Sequence, residues 1–267
     1  MASGADVAND TEGLKKHVHG LHSILKLRGG IPGLYHPWLQ TKCCRVDLQL
    51  ALYTWSKPLF FRDNICWDPF FINEQDTSDT FTEFLSTVHD TRVRHVLADT
   101  REFCTIANLA HVTGRRMKPQ LFQEIMVSLQ YRLLHLGFDD LIRSAADEAL
   151  RLAVLSFTTT IFLQVAGIET RYSRLAARFK SALVTLETQT TECSPHAKVW
   201  MLVAASISLS LTSHKWLRIA LSETVGEAHI SEWSEMKRVL KKFFWVDVIH
   251  DAAGKAVFEN ASSNKTR

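Results

Sequence analysis

The chain has little net charge, few helix breakers and no cysteine framework, and each shortage narrows what it can be. Its 267 residues carry 31 Lys plus Arg against 28 Asp plus Glu, a formal charge of +3 that supplies little long-range pull on nucleic acid. With only 11 Gly and 6 Pro, it is neither collagen-like nor dominated by linkers. The 46% hydrophobic content, including 15 Phe and 7 Trp, lies far from the composition of a disordered chain. The five cysteines, Cys43, Cys44, Cys66, Cys104 and Cys193, form no C-x-x-C pair and no Cys/His cluster. They read as small buried hydrophobes rather than as zinc ligands. At this length a single fold buries enough surface to stand without disulfides or metal.

Long apolar runs are also missing. Leu152 to Ile168 is interrupted by Ser156, Thr158, Thr159, Thr160 and Gln164, and Val199 to His214 contains several Ser, so both fall short of a span of roughly 20 apolar residues. No membrane role is expected. The opening MASGADVANDTEGLKKH has no apolar stretch behind basic residues, so no secretory signal is expected and a reducing compartment is. The Asn-x-Ser/Thr triplets at Asn9, Asn260 and Asn264 are then chance matches.

Catalytic and ligand-binding motifs are absent in the same way. LRGGIPG follows a helical segment rather than a strand, so it reads as a helix stop and tight turn, not a phosphate loop. No G-x-S-x-G, H-E-x-x-H or kinase set is present. In HVHGLH, His19 and His22 can share a helix face but His17 cannot join them, and nothing nearby completes a metal set. The neighbours His89/Asp90 and His250/Asp251 face different ways on a helix and make no acid–base pair. No catalytic residue, cofactor or metal site is assigned.

What is present is helical periodicity. The chain predicts an all-α single domain of packed, mostly antiparallel helices over residues 11–258, with a disordered N-terminus at 1–10 and a disordered tail at 259–267. The first helix starts near Asp10 or Thr11, carries Leu14, Val18, Leu21 and Leu25, and stops at Gly29 and Gly30. A second runs from Pro37 to Pro58. From Leu59 to Phe71 periodicity vanishes but aromatic residues accumulate, which predicts a loop lying on the core. Helices follow over Val93 to Gly114 and Pro119 to Gly137, then one capped by Asp139 or Asp140 and running through Leu141 and Ile142 toward Gly167. Further helices carry Leu175 to Leu186, Val199 to Leu211, Trp216 to Leu221, and Trp233 to Phe244 started by Ser231. After Asp247 the chain is expected to fray into the polar ASSNKTR. The stretch near 72–80, with NEQDTSDT at 73–80, is the candidate mobile junction.

Basic residues gather at Arg115, Arg116 and Lys118, and again at Lys237, Arg238, Lys241 and Lys242. The second group makes a stripe opposite Trp233, Leu240 and Phe244, a candidate contact for an acidic partner helix or a phosphate. A solvated face is the plainer expectation.

Several segments together resemble a known family. HVHGLHSILKLRGGIPGL at His17 to Leu34, YRLLHL at Tyr131 to Leu136, EALRLAVLSF at Glu148 to Phe157, and ISEWSEMKRVLKKFFWVDVIHDAAGKAVFEN near the end resemble, in order, the fungal-specific transcription factor domain. That is the helical regulatory region downstream of the binuclear zinc cluster in many fungal regulators. The resemblance implies a nuclear, non-catalytic regulatory domain of a filamentous fungus, working through a protein partner, a homodimer or a small-molecule effector. The six-cysteine cluster and basic linker of that family are not found before His17, so no DNA contact is expected of this chain. An adaptor or dimerisation module without a link to transcription is the alternative. An all-α enzyme ranks last, because no carboxylate cluster for metal-phosphate chemistry stands at helical spacing.

Overall fold

The computed structural model describes residues 11–62, 65–71, 80–139, 141–164, 172–188, 193–209 and 215–262. Among these, eleven α-helices and no strand are found: α1 (Thr11–Leu27), α2 (Pro37–Thr54), α3 (Thr80–Ser86), α4 (Thr91–Thr113), α5 (Pro119–Leu136), α6 (Ala145–Phe162), α7 (Ser173–Thr188), α8 (Pro195–Ser208), α9 (Lys215–Glu227), α10 (Trp233–Lys242) and α11 (Asp247–Ser262). The protein is all-α, as its periodicity predicts. No described helix is long and apolar enough to cross a membrane.

Local chemistry sets the helix ends. Gly29 and Gly30 stop α1 at φ 86° and 81°, and the Gly30 N–H donates to the Leu25 carbonyl at 2.8 Å. A 3₁₀ turn over Ile31–Gly33 follows, where a side chain on Gly33 would sit 2.1 Å from the Arg28 carbonyl oxygen. Prolines occupy the first turns of α2, α5 and α8. Asp90 caps α4 by accepting from the Arg92 N–H, and Ser144 caps α6 by accepting from the Asp147 N–H at 3.0 Å. That serine corrects one expectation: α6 begins at Ala145, and Leu141 and Ile142 lie before it, exposed to solvent. Asp140 and Gly167 lie outside the described residues, as do 1–10 and 72–79, where a disordered start and a mobile junction were expected.

Helix α6 is the axis of the core. It is apolar on nearly every side from Ala149 to Phe157, which suits a helix enclosed by others, and it packs against α4, α5, α7 and α8. Helix α2 joins α1, α5 and α7, and α8 carries α9, α10 and α11 on its outer side. Arg151 lies inside this core without exposure, donating to the Leu133 carbonyl at 2.7 Å and paired with Glu148 at 2.6 Å.

The C-terminal part departs most from expectation. Residues 247–262 form α11 rather than a frayed tail, because Val257, Phe258 and Ala261 bury one face of it together with His250 and Gly254. The same helix shows that Phe243 and Phe244 do not extend α10. They begin a buried turn, Phe243 to Val246, whose backbone is satisfied by side chains from distant helices. Trp200 Nε1 donates to the Phe244 carbonyl at 2.8 Å, Asn108 Nδ2 to the Trp245 carbonyl at 2.8 Å, and Arg101 to the Phe243 carbonyl at 2.9 Å.

His250 locks α11 to this turn. Its Nδ1 accepts from the Val246 N–H at 3.2 Å, so Nε2 carries the proton and donates to Thr160 Oγ1 at 2.9 Å. Burial pushes the imidazole down to about 4. The folded protein therefore holds it neutral while the unfolded chain protonates it near 6.5. Stability is complete above that value and falls as pH drops toward 4. At pH 5 the loss is about 2 kcal/mol. Urea unfolding at pH 7.5 and pH 5 measures it; in His250→Gln the decline should shrink by that amount, and an equal decline in both proteins would refute the assignment.

Candidate functional site

The aromatic stretch after α2 forms a strap over a cleft. Two buried carboxylates, from different helices, hold it at its ends. Asp47 on α2, 1% exposed, accepts from the Leu59 N–H at 2.9 Å and the Phe60 N–H at 3.0 Å, and from the Tyr131 hydroxyl at 2.8 Å. Burial pushes its carboxyl up, while those three donors oppose the shift. Asp99 on α4, also 1% exposed, accepts from the Phe70 N–H at 2.9 Å and the Phe71 N–H at 3.0 Å. Its charge is met by Arg132 on α5, 2.5 Å away, which also reaches the Asp68 carbonyl at 3.4 Å. His95 Nδ1 lies 2.9 Å from the Trp67 carbonyl and ties the strap a third time.

Beneath the strap, between α2 and α5, lies a cleft of about 320 Å³. Phe61 and Ile65 form its roof, Val127 and Tyr131 line the α5 wall, and Thr41 and Cys44 the α2 wall. Phe61 adopts φ 56°, a left-handed conformation that costs a non-glycine residue energy and that Trp55 and His229 share among the described residues. Its ring stands edge-on against Tyr131, with centroids 4.9 Å apart. Tyr131 stays a neutral phenol, its ionisation opposed by burial and by Asp47. Burial likewise pushes the Cys44 thiol up to about 12, so it is inert as a nucleophile.

A second, larger hollow of about 520 Å³ lies between α3, α6, the start of α8 and the end of α10, bordered by Leu150, His196, Lys242 and Phe243. Cys193 and Ser194 also line it. Among the described residues it has no positive-φ residue in its lining.

The basic stripe on α10 is divided. Lys237 Nζ pairs with Asp251 at 2.6 Å and Asp247 at 3.3 Å, and Lys241 Nζ with Asp247 at 3.0 Å. Asp251 also accepts from Trp245 Nε1 at 2.8 Å, so Lys237 belongs to the fastening of α11. Arg238, Lys241 and Lys242 are exposed, and Arg238 and Lys242 make no ion pair among the described residues. Arg115, Arg116 and Lys118 are exposed in the α4–α5 link. His17 and His19 are exposed, His22 packs against Phe60 with centroids 5.5 Å apart, and among the described residues no cluster of His, Cys and carboxylate side chains is arranged for a metal. Of the cysteines, Cys43, Cys44 and Cys104 are buried, Cys193 is half-buried and Cys66 is exposed at the cleft.

The sequence reading placed the strap on the core but missed its fasteners. The available signal was charge out of place: Asp47 among Cys43, Cys44 and Leu50, Asp99 among Val96 and Phe103, and Arg132 between Leu129 and Leu133. Such residues on an apolar helix face must find partners inside the fold. No family model matches this chain, and no curated protein or solved structure matches it either.

Proposed function

We propose that the chain is a non-catalytic regulatory domain of a fungal transcription regulator that responds to an effector held in the cleft under the strap. The observation carrying this reading is the cleft itself: a ligand-sized hollow roofed by a segment that is fixed at both ends and strained at Phe61. An effector favouring one arrangement of Phe61 and Ile65 would shift the strap between two packings, and the change would reach α4 through Asp99 and α2 through Asp47. The setting in transcription, and with it a nuclear location, rests on the resemblance of the segments noted above. Two of those segments border the cleft, one through Ile31 and the other through Tyr131 and Arg132.

The test is a reporter assay. Fused to a heterologous DNA-binding domain in a fungal host, the chain should alter transcription, and Val127→Trp, which fills the cleft, should change that output at unchanged protein level. Output indifferent to the filled cleft would remove the effector site, and no output from either protein would remove the transcriptional setting.

One observation favours the second reading, an adaptor or dimerisation module. At the α1–α2 turn Leu27 is 90% and Tyr35 97% exposed, with Ile24 and Trp38 also exposed. If this is the contact surface, sedimentation should show a dimer that Leu27→Ser with Tyr35→Ser dissociates; a monomer at all concentrations would count against self-association.

A further inference from the structure

Resting on the cleft reading above, we propose that the cleft takes a small organic amine, a protonated nitrogen on a flat apolar body. The argument is what the polar groups of the wall have left to offer. Arg132 directs Nη2 to Asp99, with Nη1 on the Asp68 carbonyl and Nε on the Ser128 carbonyl, each at 3.4 Å. Its charge is neutralised at 2.5 Å by Asp99, so it offers an incoming anion no net attraction. The Tyr131 hydroxyl donates to Asp47, the Thr41 hydroxyl to Gln123 Oε1 at 2.9 Å, and Gln40 Nε2 to the Leu34 carbonyl at 2.7 Å. The donors that remain in the lining, the Gln123 amide nitrogen and the Ser128 hydroxyl, are neutral.

Acceptors remain. Glu124 lines the cleft at its exposed end and has no ion pair among the described residues. Gln40 Oε1 is left over once its amide nitrogen is engaged, and the Ser128 hydroxyl accepts as readily as it donates. Cys66, which lines the cleft, directs its Sγ to the Asp68 carboxylate at 3.6 Å. An anionic ligand would meet Glu124 with repulsion and no free cation. An ammonium group would meet an unpaired carboxylate, and Phe61 and Tyr131 place aromatic rings in the lining. Ile31, Ile65 and Val127 provide the apolar walls, and about 320 Å³ suits a body of one or two rings.

The whole chain is titrated by calorimetry with 2-phenylethylamine, 2-phenylethanol and phenylacetate, which share a ring and differ in the charge of the end group. The amine is expected to bind roughly five-fold more tightly than the alcohol, as an exposed carboxylate allows, and phenylacetate least of the three. Glu124→Gln, at an exposed position, should erase the preference for amine over alcohol and leave the alcohol's affinity unchanged. Equal affinity for all three probes, a preference for phenylacetate, or an unaltered preference in Glu124→Gln would overturn the amine assignment while the cleft reading stands. No binding by any probe, or binding that Val127→Trp does not abolish, would overturn the cleft reading itself.

Discussion

Arg132→Met should lower the unfolding free energy by about 3–5 kcal/mol in urea titrations at neutral pH. The cause is not the loss of one attraction but the charge left behind. Asp99 is 1% exposed and would remain buried with only the Phe70 and Phe71 amides to stabilise it. Removing both charges together tests that account. Asp99→Leu with Arg132→Met places apolar groups of similar size where the pair stood, and most of the lost stability should return. The strap would not be restored, because its Phe70 and Phe71 amides would have lost their acceptor. Proteolysis at 65–71 should then be faster in the double variant than in the wild type, although global stability is nearly recovered. A single-variant cost below about 1 kcal/mol would mean that water reaches the pair, contrary to the burial described.

Gly254→Val should cost about 3 kcal/mol, and Gly254→Ala about half of that. The sign is the informative part, because replacing a helix-interior glycine with alanine ordinarily stabilises by up to about 1 kcal/mol. Here a Cβ would lie 2.6 Å from Cη2 and 2.7 Å from Cζ2 of Trp245, and 3.0 Å from Cη2 of Trp233. Trp245 is buried and held by its hydrogen bond to Asp251, so it cannot swing aside at low cost. Trp245→Phe removes the two nearer atoms. In a double-variant cycle followed by thermal unfolding, Gly254→Ala should be less damaging in the Trp245→Phe background than in the wild type. Additive effects would show that α11 does not approach the indole this closely.

These two sites also show which parts of the fold can be read from sequence. Helices with an uninterrupted apolar stripe, such as α5 with Ile125, Met126, Leu129 and Leu133, declare themselves. Helix α11 did not, because its buried face is built from His250, Gly254 and Ala261 as well as Val257 and Phe258, and such small or polar residues look like a loop until Trp245 is placed against them. The paired role of Lys237 is hidden for the same reason: with the chain fraying after Asp247, neither Asp247 nor Asp251 offers itself as a fixed partner, and the lysines read as a solvated face or a partner contact. At the cleft, the aromatic content of 59–71 indicated contact with the core. Its fastening depended on Asp99 and Arg132, which lie far along the chain from the segment they hold and carry no spacing rule.

The turn from Phe243 to Val246 has a consequence for how the protein is made. Its backbone partners, Arg101, Asn108 and Trp200, leave the ribosome long before it does. Until that turn arrives, the growing chain exposes the indole of Trp200 and the apolar surfaces of α4 and α8 that the turn and α11 will cover. Nascent chains that pause before this point should therefore be clients of chaperones that bind exposed apolar segments, and completion of the core should coincide with emergence of α11 from the ribosome rather than proceed helix by helix.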